Sequence, residues 1–361
     1  MKTGKIKIVL SLFVVFAFNS CLKNPVNNPL KIDLNSSVEL LSYIEESTGD
    51  YVNTNNFPSI IDAQDVYNNL GNYLIIDVRP KEIFSAGHIQ NSINITPDSL
   101  LMYLKSINTN NYSKIVIVSS TGQSASYYCC LMILAGFSNT YAMRYGMASW
   151  NNAFSAPWMM ALSDPDTAEL KALAGGIIPK AGYSPLPQLT YPDQNADIKT
   201  KLDYRITKLL NEGFDDELTS AYSTPVTDFQ NLLVQIEPGS YYSICLGIPH
   251  FYWRKDGGPS APPFTHPPGA VNYLYYSPFF EFASVNYLQT VPSNREIYLY
   301  SYSGFISAFL TAYLRVLGYN AKSILFGGNN LFYNNMLVTP SLHQYAFKPS
   351  DINNFPFVTG N

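Results

Sequence analysis

Two loops of the sequence carry serine side chains directly after a short apolar run of strand-forming residues. The first loop begins at Ser119 after the run 115–118, and the second begins at Ser301 after the run 297–300. A helix-forming segment follows each loop, so backbone N–H groups at the helix start would point toward the loop. These N–H groups and nearby hydroxyls can bind an anion or a polar ligand without a charged side chain. The candidate ligand-binding residues of the first loop are Ser119, Ser120, Thr121, Gly122, Gln123 and Ser124.

Two interpretations of the first loop remain open. In one, the loop weakly binds a small oxyanion or another polar ligand. In the other, the loop keeps small polar residues because its turn needs them. The second loop contains Tyr302, Phe305 and Ile306, which are more typical of a packed surface than of an anion-binding loop.

Neither serine has the partners of a catalytic nucleophile. A serine hydrolase needs a base and an orienting acid near the serine, and His88 is the only histidine whose place can be predicted. The four histidines show no metal-ligand spacing. Cys129 and Cys130 lie in an apolar helical stretch about three turns beyond Ser119, where we expect them to pack in the core. We therefore expect no catalytic residue, no metal and no cofactor.

The two loops belong to two copies of one repeated unit. Ser119 precedes Gly136 by 17 residues, and Ser301 precedes Gly318 by the same number. Predicted strands at 140–143 and 323–326 then lead to Gly146 and Gly328, each 27 residues after its serine. Strands that alternate with helices in this order predict an α/β fold, in which each copy is a parallel sheet flanked by helices on both faces.

Upstream of the loops the copies also correspond. The predicted strands 73–79 and 241–247 are each followed by a histidine, His88 in the first copy and His266 in the second. An asparagine follows six residues later in both copies, at Asn94 and Asn272.

The first copy resembles a rhodanese-like domain, the fold of thiosulfate and mercaptopyruvate sulfurtransferases. The resemblance rests on Asp77-Val78-Arg79, on Gly87-His88-Ile89 and on the strand–loop–helix spacing, across about residues 57–152. The second copy is similar across about residues 225–335, with Cys245 and Gly247 in place of the strand-end Asp and Arg. The resemblance implies a tandem rhodanese-like protein of the sulfurtransferase superfamily. In such a protein the structural motif residues would be Asp77, Arg79, His88 and His266.

The resemblance implies a cysteine thiolate at the first loop position, where it would accept sulfur as a persulfide. Ser119 and Ser301 occupy those two positions, and the family's loop arginine is replaced by Ser124 and Ile306. A hydroxyl contains no sulfur and cannot form a persulfide. We therefore predict a non-catalytic binding or scaffold module. The alternative is a sulfurtransferase that uses another cysteine or a partner's thiol.

The sequence divides into five parts. They are a signal peptide at 1–21, a tether at 22–35, a first domain at 36–155, a linker at 156–195 and a diverged second domain at 196–350. Amphipathic helices at 36–47 and 198–211 are expected to pack on the sheet edges, and a short helix is expected at 166–174. The aromatic and proline-rich insert at 246–268 either binds a partner or covers its own domain.

The N-terminus predicts export. Lys2, Lys5 and Lys7 precede an apolar run over 8–18 that is too short to span a bilayer. The run ends at Phe18-Asn19-Ser20-Cys21, which resembles the lipobox of bacterial lipoproteins and implies acylation of Cys21. Ordinary secretion is the alternative. Because Leu22 is not aspartate, the resemblance favours the periplasmic face of the outer membrane.

Composition narrows the class of partner. The chain of 361 residues has a net charge of −4, and only 13% of its residues are charged. No Lys/Arg cluster occurs beyond the N-terminus, which argues against nucleic acid as a partner. The expected partners are the membrane, through Cys21, and either another envelope protein or a small oxyanion.

Overall fold

A parallel five-stranded sheet lies at the centre of each half of the chain. The computed structural model describes residues 36–49, 57–164, 178–216, 226–227, 241–247, 249, 252, 266–267, 269–276 and 280–360. In the first unit the strands are β1 (Ile60–Ile61), β2 (Tyr73–Asp77), β3 (Ile93–Asn94), β4 (Lys114–Val118) and β5 (Thr140–Met143). Their order across the sheet is β1-β5-β4-β2-β3, and every pairing is parallel.

The second unit repeats this topology strand for strand. Its strands are β6 (Val226–Thr227), β7 (Tyr241–Cys245), β8 (Val271–Asn272), β9 (Glu296–Tyr300) and β10 (Ala321–Ile324). They lie in the order β6-β10-β9-β7-β8, again all parallel. The register is also repeated, because Asp77 pairs with Asn94 in the first sheet and Cys245 pairs with Asn272 in the second.

Helices connect the strands and flank each sheet. Those up to residue 164 are α1 (Ser36–Thr48), α2 (Ala63–Asn68), α3 (Lys81–Ala86), α4 (Pro97–Ser106), α5 (Gln123–Leu134), α6 (Met147–Trp150) and α7 (Ala156–Ala161). Those from residue 178 onward are α8 (Ile198–Glu212), α9 (Val285–Leu288), α10 (Phe305–Val316), α11 (Tyr333–Val338) and α12 (Pro340–His343). Short 3₁₀ turns lie at Thr109–Asn111, Asn152–Phe154, Glu281–Ala283, Gly327–Asn330 and Pro349–Asp351.

Both faces of the first sheet are buried. Ile115 and Ile117 of β4 pack in one apolar cluster with the side chains of α5. Val116 and Val118 point to the opposite face, into a second cluster that contains Trp150. Burial on two faces explains why the strand sequence is continuously apolar instead of alternating. The predicted α/β fold, with parallel sheets flanked by helices on both faces, is confirmed.

The two units pack through the helices that follow their loops. α5 and α10 lie against each other, and their apolar side chains belong to one continuous core cluster. The Ser126 hydroxyl of α5 donates to the Phe305 carbonyl at the start of α10, at 2.9 Å. The starts of both helices are thus held close to the interface between the units.

The predicted helices at 36–47 and 198–211 are present as α1 and α8, but the expectation that they pack on sheet edges is wrong. Their main contacts are with other helices, since α8 lies between α4 and α10, and α1 lies against α8 and α5. Arg205 of α8 donates to the Val316 carbonyl at the end of α10, at 3.1 Å. An apolar helix stripe buries more surface against another helix than against a thin sheet edge, which accounts for the difference.

The C-terminal segment returns to the first unit. Val358 pairs with His88 in an antiparallel bridge, the Val358 nitrogen donating to the His88 carbonyl at 3.0 Å and the His88 nitrogen to the Val358 carbonyl at 2.9 Å. The Phe355 ring stacks on Tyr67 at 4.1 Å. Residues beyond the predicted domain limit at 350 therefore contribute to the first unit.

Candidate functional site

The first loop is a tight turn between β4 and α5. Gly122, the residue before α5, has a φ of 85°, a left-handed conformation that favours glycine. A Cβ atom at this position would lie 2.7 Å from the Met143 carbonyl oxygen. Gly146 closes the turn from the other side, because the Met147 nitrogen that follows it donates to the Ser119 carbonyl at 2.9 Å. The backbone of the loop is thereby fixed by the end of β5.

Ser119 is the first residue of the loop and is buried. Its hydroxyl oxygen accepts from the Gly122 nitrogen at 2.9 Å and from the Ala125 nitrogen at 3.4 Å. The same hydroxyl donates to Asp216 Oδ2 at 3.2 Å. The Ser119 hydroxyl oxygen therefore accepts from one N–H group of the loop and one at the start of α5.

A carboxylate that sequence analysis missed occupies the first loop. Asp216, four residues after the end of α8, accepts from the Thr121 hydroxyl and from the Ser124 nitrogen at 3.1 Å, besides Ser119. Asp216 is buried. Burial raises the pKa of its carboxyl above the usual range, while the hydrogen bonds from Thr121, Ser124 and Ser119 act in the opposite direction. The only sequence signal was an acidic pair, Asp215 and Asp216, next to a helix end.

The rest of the first loop faces the second unit and the predicted linker. Gln123 donates through Nε2 to the Thr121 hydroxyl at 3.1 Å and accepts through Oε1 from the Phe326 nitrogen at 2.7 Å. Trp158, in the predicted linker 156–195, donates to the Thr121 carbonyl at 2.9 Å. Ser120 is buried, and its carbonyl accepts from the Ala148 nitrogen at 3.3 Å. The six predicted residues are thus together, but Gln123 connects the units.

A cavity of about 650 Å³ opens beside the first loop. Its lining combines polar and charged residues with apolar ones, namely Ser119, Ser124, Asp215, Asp216 and Arg79 with apolar side chains that include Ile83 and Phe214. Its volume is within the range of small-molecule sites.

The second loop holds its serine differently. Ser301 Oγ donates to Ser307 Oγ at 3.1 Å and accepts from the Ser307 nitrogen at 3.2 Å. Ser323 donates to the same Ser307 hydroxyl at 3.0 Å. Tyr302 beside it is buried among aromatic rings, including Tyr345 at 5.5 Å. This chain of hydroxyls and the aromatic packing agree with the predicted packed surface.

One predicted equivalence between the loops is wrong. Gly327, with a φ of 53°, is the counterpart of Gly146, with a φ of 55°, whereas Gly328 was predicted. β10 spans Ala321–Ile324 instead of the predicted 323–326, and the turn between Gly318 and β10 is one residue shorter than the turn between Gly136 and β5. The repeat spacing is therefore 27 residues in the first unit and 26 in the second.

Asp77 and Arg79 form a buried ion pair at the end of β2. Arg79 Nη2 lies 2.6 Å from Asp77 Oδ2 and also donates to the Gly87 carbonyl at 2.8 Å. Asn94 donates to the carbonyls of Asp77 and Arg79, at 3.0 and 2.8 Å. The pair ties the strand end to the following turn, which is a structural role.

The second unit keeps the asparagine of this arrangement and not the ion pair. Asn272 donates to the carbonyls of Cys245 and Gly247, at 3.1 and 3.3 Å. The same backbone geometry is thus maintained with an uncharged pair of residues.

The two motif histidines are buried. His88 Nδ1 lies 3.0 Å from the Phe84 carbonyl, and its ring stacks on Phe84 at 3.8 Å. His266 packs against Tyr252 at 4.5 Å, and burial lowers the pKa of its imidazole to about 4. Neither ring forms a hydrogen bond with Ser119 or Ser301 among the described residues.

The three described cysteines are all buried and unpaired with one another. Cys129 donates to the Thr140 carbonyl at 3.3 Å, within the core. Burial raises the pKa of the Cys129 and Cys130 thiols and raises that of Cys245 to about 12. These thiols therefore stay protonated near neutral pH, where the reactive form is the thiolate.

Comparison with known proteins agrees with the first unit. Residues 62–153 match the family model of the rhodanese-like domain. They hold β2 to β5, the Asp77–Arg79 pair and the first loop. Residues 62–153 of the chain are thus similar to the rhodanese-like domain. No curated protein matches the chain.

Three solved structures illustrate the similarity. A rhodanese-related protein from Thermoplasma volcanium is 27% identical, covering 26% of this chain and 89% of its own, with a TM-score of 0.24. A rhodanese-like domain protein from Staphylococcus aureus is 25% identical, covering 25% and 87%, with a TM-score of 0.22. A thiosulfate sulfurtransferase from Pseudomonas aeruginosa is 11% identical, covering 80% of this chain and 46% of that one, with a TM-score of 0.27.

Several predictions fall outside the described residues. They are the signal peptide 1–21 with Cys21, the tether 22–35, the helix 166–174 and most of the insert 246–268. Within the described ranges, no helix has the length and hydropathy to cross a membrane, and no group of three or more acidic, histidine or cysteine side chains is placed to hold a metal ion.

Proposed function

We propose that this chain is a non-catalytic rhodanese-like protein that binds a ligand or a protein partner. The proposal rests on the observation that the first residue of each loop is a serine. Ser119 and Ser301 are the first residues after β4 and β9, and their hydroxyls are already engaged in hydrogen bonds. Sulfur transfer at these positions would need a thiolate.

A thiol elsewhere is a poor substitute. Cys129 and Cys130 lie in the interior of α5, and Cys245 lies at the end of β7, all with raised pKa values. A buried, protonated thiol is neither nucleophilic nor accessible to a sulfur donor. A sulfurtransferase is therefore the less supported function.

The second unit is, in this proposal, a diverged copy of the rhodanese-like domain. Its support is the identical strand order, the matching asparagine contacts of Asn94 and Asn272, and the paired positive-φ glycines at 122 and 304. The aromatic second loop suits a protein-packing surface better than an anion site.

Incubation with thiosulfate and cyanide tests the absence of sulfur transfer. We expect the chain from residue 22 onward to form thiocyanate at the rate of the protein-free mixture, because neither loop contains sulfur. Formation above that rate would contradict the proposal. Alanine variants of Ser119, Cys129, Cys130 and Cys245 would then identify the group responsible.

Placement in the bacterial envelope by acylation of Cys21 is part of the proposal. It rests on the basic start, the apolar run and the lipobox-like sequence, followed by a proline- and asparagine-rich tether. Labelling cells with radioactive palmitate should mark the protein, and Cys21→Ser should lose the label. Persistence of the label in Cys21→Ser would refute the anchor.

A further inference from the structure

The carboxylate that is bound in the first loop belongs to Asp216, a residue distant from the loop in sequence. Asp216 is separated from Ser119 by 97 residues, and it lies beyond α8. Three donors of the loop converge on a single oxygen, Asp216 Oδ2. They are the hydroxyls of Ser119 and Thr121 and the backbone nitrogen of Ser124.

The carboxylate is held without a cation. Among the ion pairs of the described residues, none involves Asp216, and the nearby Arg79 is committed to Asp77 and to the Gly87 carbonyl. Burial of a carboxylate without a cation is unfavourable unless several donors converge on it. Here the Ser124 nitrogen is fixed by the start of α5, and the Ser119 and Thr121 hydroxyls belong to a loop whose backbone is held by hydrogen bonds to the segment after β5.

The cavity beside the loop gives the site a second part. It borders Ser119, Ser124 and Asp216, and it continues between apolar side chains of Val78, Ile83 and Phe214. A ligand with its carboxylate on the loop would therefore place an attached apolar group in this cavity.

We propose that the first loop is a carboxylate-binding site that the chain fills with its own Asp216, and that a small carboxylate with an apolar group binds there when the Asp216 side chain is absent. This inference deepens the proposed function of the same loop. It rests on that function in one respect, which is that Ser119 binds a ligand and does not take part in a reaction. We expect a carboxylate to be preferred because three donors converge on one carboxylate oxygen, and the Arg79 guanidinium that borders the same cavity is already paired with Asp77.

The test is chemical rescue of Asp216→Gly in the full chain, with Asp215→Gly as the matched control. We expect Asp216→Gly to lower Tm by several degrees. Acetate should then raise the Tm of Asp216→Gly in a saturable way and leave the Tm of the wild type and of Asp215→Gly at their chloride values. Phenylacetate should act at lower concentration than acetate, because its ring enters the cavity.

Two outcomes would overturn the proposal. One is that acetate shifts Asp216→Gly no more than it shifts Asp215→Gly. The other is that chloride or sulfate at equal ionic strength gives the same shift as acetate, which would indicate a general anion effect.

If Asp216→Gly does not accumulate as folded protein, refolding of the denatured variant in acetate or in chloride replaces the Tm measurement. Recovery of native circular dichroism in acetate alone supports the proposal, and equal recovery in both salts contradicts it. The thiocyanate assay is an independent readout, so failure of rescue leaves the question of sulfur transfer unaffected.

Discussion

Gly146→Ala is expected to destabilise the chain by at least about 4 kcal/mol, among the largest effects of a single substitution. A Cβ atom at Gly146 would overlap the Ser119 carbonyl oxygen and lie 2.6 Å from the Gly122 nitrogen. Both are backbone atoms of the first loop, so no side-chain rotation can relieve the overlap. The φ of 55° adds the strain of a left-handed residue. Unfolding in urea, followed by circular dichroism, measures the loss.

Gly136→Ala is the matched control for this substitution. Gly136 also has a positive φ, of 103°, but a Cβ atom there would meet nothing within 4 Å. Gly136→Ala should therefore lower the free energy of unfolding only by the backbone strain, about 1–2 kcal/mol. Equal losses for the two variants would show that the loop does not need the close approach at Gly146.

Asp77→Ala is expected to destabilise the chain by about 3–5 kcal/mol, because it leaves the Arg79 guanidinium buried without its carboxylate. Arg79 is 3% exposed, and Asp77 is fully buried. The other Arg79 partners, the Gly87 carbonyl and the Phe154 ring, carry no charge. The same urea titration measures the free energy of unfolding.

The second unit suggests how this loss can be avoided. Cys245 and Gly247 stand where the first unit has Asp77 and Arg79, and Asn272 keeps the same two carbonyl contacts. The double variant Asp77→Cys, Arg79→Gly should therefore be more stable than Asp77→Ala. A double variant that is less stable than Asp77→Ala would show that the ion pair is not replaceable as a unit.

The fold could be predicted from the sequence because its signals are local. The apolar runs 115–118 and 297–300 became the buried strands β4 and β9, and Gly122 and Gly304 became positive-φ residues before α5 and α10. The paired Asn94 and Asn272 also mark equivalent positions. Gly328 was the wrong equivalent because one residue is missing from a turn, and uniform spacing cannot reveal a deletion.

The binding of Asp216 in the first loop could not be predicted, because it depends on contacts between residues that are distant in sequence. Thr121 and Ser124 have no sequence feature that pairs them with Asp216, more than ninety residues away. The packing of α1 and α8 on helices likewise follows from how the two units meet. The return of Val358 to His88 depends on the same arrangement.

The central claim is that the chain does not transfer sulfur, because the first residue of each loop is a serine and not a cysteine. The mass of the protein after exposure to thiosulfate tests this claim most directly. We expect the intact mass to stay unchanged, with no sulfur atom added at any cysteine of the chain from residue 22 onward. A gain of one sulfur atom, located by peptide mapping to Cys129, Cys130 or Cys245, would contradict the account.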